Sequence, residues 1–210
     1  MERAPLYHLR VHVRPETVEL VLSFHHAILD GGSVANLVRE LLQDYLHGLG
    51  LDIPAVPVRE LPSAAHHVLA ERNALESAPS KEFWTGYLKD AELLRLESFR
   101  QHEAPGPDDL ITRVVDLPDE LTADARAFAA GRQLTMKSVL FAAHVLALRL
   151  YSGTEDVTTG LVTHGRPEYE DAERTAGLFL NTLPVRVDTA QPTWADVVEE
   201  ALRQERATYP

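Results

Sequence analysis

Two adjacent histidines stand just before an acidic turn, and they are the strongest candidates for chemistry in the 210-residue sequence. A histidine such as His25 or His26 can act as a general base because its unperturbed pKa lies near the operating pH. Asp30 follows closely and could orient a neighbouring group or pair with an arginine. Gly31 and Gly32 come next, and they allow backbone angles that residues with a Cβ atom resist.

The same segment lacks the parts needed for covalent catalysis. It contains no Gly-x-Ser-x-Gly elbow, and the whole chain has no cysteine. The pattern therefore favours base-assisted attack by a bound amine or hydroxyl over a covalent acyl-enzyme. From residue types alone, an active site and a structural histidine in an apolar strand are equally supported.

Metal binding is disfavoured as an alternative. His25, His26 and Asp30 are all possible ligands, but adjacent side chains of a strand point to opposite faces. A second pair, His66 and His67, falls on a predicted helix, where neighbouring residues do not share a face. We predict no metal, and we interpret the second pair as part of a solvated or partly packed helix.

The elements around the histidines predict a strand-to-helix turn. Leu9 to Val13 alternate apolar and polar residues, and Val18 to Phe24 form a second, more apolar strand, so the segment reads as a hairpin. Ser33 is the predicted N-cap of a helix that ends near Gly48. His25 and His26 are then expected on opposite faces at the end of the second strand.

The remaining sequence predicts mixed helices and strands, an order that favours helices layered against a sheet. A polar segment rich in Pro and Gly, residues 99–109, is the predicted mobile loop or lobe boundary. Helices are predicted near 63–76, 80–94 and 118–130, then from a Thr135 cap to an end at Gly153, and from Thr193 to about 207. Strands are predicted near 110–116, 156–163 and 178–187, the last interrupted by Pro184.

Composition narrows the class of protein. The formal net charge is −12, which argues against nucleic-acid binding and against an anionic membrane surface, because both need clustered Lys and Arg. No run approaches the roughly 18 apolar residues of a spanning helix. No signal peptide is visible in the first ten residues. We expect a cytoplasmic protein.

Three segments resemble one known family. Residues 25–31, His-His-Ala-Ile-Leu-Asp-Gly, resemble the His-His-x-x-x-Asp-Gly signature of the condensation domains of nonribosomal peptide synthetases. Chloramphenicol acetyltransferase and related CoA-dependent acyltransferases carry shorter versions of this signature. Residues 177–186, Gly-Leu-Phe-Leu-Asn-Thr-Leu-Pro-Val-Arg, resemble a later segment of condensation domains, and the turn at residues 165–167, Gly-Arg-Pro, precedes it as expected.

The resemblance implies an α/β fold, the chloramphenicol acetyltransferase-like two-lobe sandwich, incomplete at both ends. Residues 1–98 would be the C-terminal part of the first lobe, and residues 110–210 the N-terminal part of the second. Missing sheet neighbours would leave strand edges unpaired and apolar faces exposed.

The implied function is amide formation between aminoacyl or peptidyl thioesters in nonribosomal peptide synthesis, a route to secondary metabolites and antibiotics. No cofactor is expected to bind tightly, because the substrates arrive on the phosphopantetheine arms of peptidyl carrier proteins. Those carriers and adenylation domains are the implied partners, with neither nucleic acid nor a membrane.

The resemblance also assigns roles to individual residues. His26 would be the catalytic residue, acting as general base or positioning the amine and stabilising the tetrahedral intermediate. Gly32 departs from the family, which often has a bulky residue there. The structural residues of the motif would be His25, Asp30 paired with an arginine, and Gly31; the substrate tunnel would include Gly32, Ser33 and Asn181; Arg186 would be structural.

Two alternatives stay open at this point. A related CoA- or carrier-dependent acyltransferase that forms an ester or an amide, or an epimerisation-type relative, would carry the same histidine motif. An inactive fragment could instead serve only as a surface that binds a carrier protein.

Overall fold

The computed structural model describes residues 5–58, 60–92, 94, 112, 114–166 and 171–209. The chain divides into two compact units. Unit 1 comprises Met1–Lys81 and Val162–Asn181, and unit 2 comprises Glu82–Leu161 and Thr182–Pro210. The predicted loop at 99–109 lies outside the described residues, and the division into 1–98 and 110–210 stays a prediction.

Unit 1 opens with the predicted hairpin. Strands β1 (Tyr7–Val13) and β2 (Val18–Phe24) pair antiparallel, and a hydrogen bond of 2.8 Å from the Arg14 N–H to the Thr17 carbonyl closes the turn. The register places apolar residues opposite each other on one face. Much of this face is exposed, as expected for a sheet without further neighbours: Tyr7, Leu9, Val11, Val13, Val18 and Leu20.

Three helices follow the hairpin along the chain. They are α1 (Gly31–Gly48), α2 (Ala65–Glu76) and α3 (Ala78–Tyr87), and the division between the units falls within α3. The predicted extension of α3 to Leu94 is wrong. The helix ends at Tyr87, and the chain then turns through Asp90, whose φ of 59° is incompatible with a continuing right-handed helix.

Unit 2 contains the apolar core. Helices α4 (Asp119–Gly131), α5 (Met136–Ser152) and α6 (Trp194–Ala207) supply most of it, and α5 packs against the other two. Strands β3 (Asp156–His164) and β4 (Leu180–Asp188) pair with each other, and the division between the units falls within both strands. The buried core residues are Ala129, Val139, Phe141, Ala142, Val145, Val157, Val185, Val187, Val197, Val198 and Ala201.

The ends of α5 and α6 agree with the sequence predictions. The Thr135 side chain accepts a hydrogen bond from the Ser138 N–H, and Gly153 ends α5 with a φ of 72°. Thr193 and Asp196 form a reciprocal capping box at the start of α6.

Two strand predictions need correction. The interruption of the last strand at Pro184 is wrong, because β4 runs through this residue. In a two-stranded sheet each strand has an outer edge where a missing N–H breaks no ladder bond. The strand predicted at 110–116 is not formed at residues 114–116, and its other residues lie mostly outside the described part of the chain.

Within the described ranges no single helix is long and apolar enough to cross a membrane. Among the same described residues, the helices Asp119–Gly131 and Met136–Ser152, bent by 112° at their break, meet the criteria of length and composition when taken together.

The core of unit 2 yields a stability prediction. Val145 on α5 is completely buried, whereas Leu150 on the same helix is 84% exposed. Val145→Ala should lower the free energy of unfolding by about 2–3 kcal/mol, because it removes two buried methyl groups and leaves a cavity. Leu150→Ala is the matched control and should change it by less than about 0.5 kcal/mol. Urea denaturation of both variants measures the difference, and equal effects would contradict the assignment of this core.

Candidate functional site

The two histidines of the motif begin a turn instead of continuing a strand. Strand β2 ends at Phe24, and the His25 N–H donates one last bond to the Leu6 carbonyl at 2.8 Å. The Ile28 N–H then donates to the His25 carbonyl at 3.1 Å and closes a tight turn. The strand alternation expected for the two histidines does not apply, because β2 ends at Phe24, before both of them.

The His25 ring forms a hydrogen bond within this turn. Its Nδ1 accepts a hydrogen bond of 3.1 Å from the Ala27 N–H. An accepting Nδ1 places the proton of the neutral ring on Nε2. His25 thus stabilises the backbone that carries the next residue.

The His26 ring is in a different situation. It is exposed, and its centroid lies 6.2 Å from that of the Phe24 ring at an angle of 58°. Among the described residues, none forms a hydrogen bond or an ion pair with the His26 imidazole. Both ring nitrogens are therefore available to hydrogen-bond a ligand.

Asp30, at the end of the turn, is held by a buried ion pair. Arg166 Nη2 lies 2.8 Å from Asp30 Oδ1, and the side chains are only 12% and 3% exposed. Asp30 also caps α1, because its Oδ1 accepts from the Ser33 N–H at 2.7 Å. The prediction of Ser33 as N-cap is wrong: Asp30 is the N-cap, and Ser33 lies in the first helical turn.

The Ser33 hydroxyl joins the same network. It accepts from Arg166 Nη2 at 2.8 Å and from the Gly177 N–H at 3.1 Å, and it donates to the Gly177 carbonyl at 2.9 Å. The Asp30 N–H donates to that carbonyl as well, at 2.9 Å. The buried Ser33 side chain thus links the histidine motif to the second family segment. Its predicted role in the substrate tunnel stays a prediction.

Phe179 completes the network. Its N–H donates to Asp30 Oδ2 at 3.1 Å, and its ring centroid lies 4.2 Å from the guanidinium carbon of Arg166. Arg166 Nη1 donates to the Thr175 carbonyl at 2.7 Å. We call the set Asp30, Ser33, Arg166, Gly177 and Phe179 the motif network.

The surroundings of Asp30 lower its pKa. Burial by itself raises the pKa of the carboxyl, but the N–H groups of Ser33 and Phe179 and the charge of Arg166 favour the carboxylate. The net result is a pKa of Asp30 below its ordinary value. Asp30 is therefore charged throughout the neutral range and serves as an anchor, not as a proton donor.

The two glycines of the motif do not use unusual backbone angles. Both are helical residues of α1, and neither is among the glycines with positive φ. The backbone freedom that glycine allows is thus not used at these two positions. A Cβ at Gly31 would meet no atom within 4 Å, whereas one at Gly32 would lie 3.5 Å from Arg166 Nη2.

The other predicted residues lie on β4. Asn181 is exposed, shortly after Phe179, and its place in a substrate tunnel stays a prediction. Arg186 forms an ion pair with Asp156 at 2.6 Å, and its N–H donates to the Tyr87 hydroxyl at 2.9 Å. The hydrogen bonds with Asp156 raise the pKa of Arg186.

The family resemblance predicts an arginine beside Asp30, but the sequence alone did not identify Arg166 as that arginine or Phe179 as its neighbour. Both residues lie in segments that resemble the family, Arg166 in 165–167 and Phe179 in 177–186, and this position was the only sequence clue to their role. Pro167 lies outside the described residues. No group of three or more His, Cys, Asp or Glu side chains that could hold a metal occurs in the described part of the chain.

A family model for the condensation domain matches residues 1–209. The chain belongs to the condensation domain family. Its relatives include the AMB antimetabolite synthetase AmbE of Pseudomonas aeruginosa, which is 38% identical over 190 residues. Another is a linear gramicidin synthase of Brevibacillus parabrevis, 32% identical over 200 residues. These matches cover 88% and 90% of this condensation domain chain but only 8% and 4% of the relatives.

A solved structure agrees in fold. The first condensation domain of the calcium-dependent antibiotic synthetase, in complex with a substrate analogue, superposes with a TM-score of 0.72 at 25% identity. The match covers 96% of this chain and 47% of that domain. The predicted chloramphenicol acetyltransferase-like fold is confirmed, and this condensation domain chain spans about half of it.

The lowered pKa of Asp30 predicts a pH window. The folded state binds the Asp30 proton less tightly than the unfolded state, so the stabilisation is complete above the unfolded pKa of about 3.9 and is lost as the pH falls through the folded pKa. Asp30→Asn leaves Arg166 buried without its partner and should cost about 3–5 kcal/mol at neutral pH.

The measurement is urea denaturation of wild type and Asp30→Asn between pH 8 and pH 3. The gap in free energy of unfolding should stay constant down to about pH 5 and narrow below about pH 4. Asp52→Asn, at an exposed position of unit 1, is the control and should show almost no gap. A gap of the same size at pH 3 and pH 7 would contradict the assignment.

Proposed function

We propose that this condensation domain chain catalyses amide-bond formation between an acyl thioester and an amine, with His26 as its catalytic residue. The proposal rests on one observation: an exposed imidazole and a buried ion pair lie within the same turn. The His26 imidazole is exposed and without a hydrogen bond to the described residues, whereas the end of its turn is fixed by the buried pair of Asp30 and Arg166.

This arrangement suits a group that must accept a proton at a defined place. The amine attacks the thioester carbonyl carbon, and a C–N bond forms as the C–S bond breaks. The nitrogen loses a proton in this step, and the thiolate that leaves takes up a proton. A neutral imidazole accepts the first proton and can return it to the sulfur, so the products are an amide and a free thiol.

The turn limits the freedom of the base. Its backbone is bonded at both ends, by the His25 N–H to Leu6 and by the Asp30 N–H to Gly177. Holding a reacting group near its productive position lowers the entropic part of the barrier. The hydrogen bond from Ala27 to the His25 ring adds a restraint directly beside His26.

The same proposal includes the delivery of substrates. Both acyl groups would arrive as thioesters on the phosphopantetheine arms of peptidyl carrier proteins, in an assembly line that also contains adenylation domains. The names of the relatives, an antimetabolite synthetase and a gramicidin synthase, support a peptide-like product. A tightly bound cofactor is not part of the proposal, because the reaction neither oxidises nor reduces its substrates.

The test uses the 210-residue chain with soluble substrates. An aminoacyl N-acetylcysteamine thioester serves as donor and an amino acid ester as acceptor, and mass spectrometry follows the amide. His26→Ala should lower the rate by roughly 10²–10⁴-fold, the contribution expected of a general base. His12→Ala replaces an exposed histidine of β1 and should leave the rate unchanged.

Circular dichroism checks the folding of both variants, and both should fold because both side chains are exposed. No amide above the uncatalysed rate from the wild-type chain would contradict the proposed function. Equal rates for wild type and His26→Ala would contradict the role of His26.

A further inference from the structure

The second histidine pair contains one residue in an unexpected place. His67 lies in the first turn of α2, where sequence analysis predicted a solvated or partly packed helix. Its side chain is only 14% exposed, whereas the neighbouring His66 is exposed. The ring of His67 is therefore packed within unit 1.

The packing partner of His67 belongs to the motif network. The His67 and Phe179 ring centroids are 5.0 Å apart and the rings are tilted by 55°. Phe179 is 1% exposed, and its ring also contacts the Arg166 guanidinium at 4.2 Å. One aromatic ring thus contacts His67 and the arginine that holds Asp30.

Two further residues, Glu71 and Gly165, lie close to the His67 ring. Its Nε2 lies 3.5 Å from Glu71 Oε1, one helical turn along α2. On another side, a Cβ atom at Gly165 would lie 3.1 Å from His67 Cε1, so the glycine lets the backbone approach the ring closely. The Gly165 N–H in turn donates to the Phe179 carbonyl at 2.6 Å. His67 thus packs against the ring of Phe179, and Gly165, which lies beside His67, bonds its backbone.

The backbone of Phe179 connects this packing to the histidine motif. Its N–H donates to Asp30 Oδ2 at 3.1 Å, and Asp30 ends the turn that carries His26. A shift of the Phe179 ring would move this N–H and the Arg166 guanidinium together. We propose that His67 is a positioning residue: by packing on Phe179 it holds the motif network in the alignment that fixes the turn of His26. This inference rests on the proposed role of His26.

The test measures the positions of these groups without using catalysis. The chain is labelled with ¹³C in its histidine rings and ¹⁵N in its backbone. His67→Leu keeps apolar volume but removes the ring. It should shift the His26 Cε1–H signal and accelerate amide hydrogen exchange at Ser33 and Phe179 about tenfold, the effect of one lost aromatic contact. The signals of His8 and His12 on the hairpin should stay in place.

Matched variants separate positioning from general destabilisation. His66→Leu, at the exposed neighbour, should leave the His26 signal and both exchange rates unchanged. His67→Phe restores a ring and should return them to wild-type values, whereas His67→Gln, which keeps a polar group near Glu71 but has no ring, should behave as His67→Leu. If His67→Leu does not fold, His67→Gln tests the positioning role of His67 in its place.

Two results would overturn the inference: a His26 signal and exchange rates in His67→Gln equal to wild type, or a failure of His67→Phe to restore them. Both are independent of product formation. If the chain forms no amide while the NMR results are as expected, the proposed function fails and the coupling of His67 to the motif stands. If the amide forms and the coupling is absent, only the role of His67 fails.

Discussion

The carboxylate of Asp30 and the guanidinium of Arg166 are both withdrawn from water, and burying each charge costs several kcal/mol. The cost is offset only because both groups are well bonded. Asp30 accepts from two backbone N–H groups besides Arg166, and Arg166 donates to Ser33 and to the carbonyl of Thr175. Removal of one partner would leave the other charge uncompensated. The described part of unit 1 depends on this pair.

The two units achieve stability by different means. Unit 2 has a cluster of buried aliphatic and aromatic side chains on three helices and two strands. In unit 1, the described residues expose much of the apolar face of the hairpin and three leucines of α1, Leu37, Leu41 and Leu42. The buried positions centre on polar groups: Asp30, Ser33 and Thr175 beside Phe179. Hydrogen-bond geometry is directional where apolar packing is not. A polar interior therefore suits a turn whose end must lie at one place, and His26 begins that turn.

The sequence predicted the elements whose signals are local. The hairpin, α5 with Thr135 and Gly153, and α6 with Thr193 follow from alternation, helical periodicity and capping residues close to each helix end. The sequence predicts Ser33 as the N-cap of α1, but its hydroxyl bonds Gly177, 144 residues away, and Asp30 caps the helix instead. Local pattern cannot contain that contact.

The histidine motif could be recognised in the sequence, but the distant residues that hold it in place could not. The segment from His25 to Gly31 identified the family, whereas Arg166 lies 136 residues from Asp30 and is one of many arginines in the sequence. His67 shows the same limit, because helical periodicity predicts which residues share a face and not what that face contacts. Only the structure shows which residues distant in sequence contact each other.

A double-mutant cycle between Asp30 and Arg166 measures directly how strongly the motif turn depends on this pair. The free energy of unfolding is measured for wild type, Asp30→Asn, Arg166→Gln and the double variant at neutral pH. We expect a coupling energy of at least about 2 kcal/mol, with the double variant more stable than the sum of the single losses implies. Additivity within about 0.5 kcal/mol would contradict it, because the motif turn would then not depend on this pair.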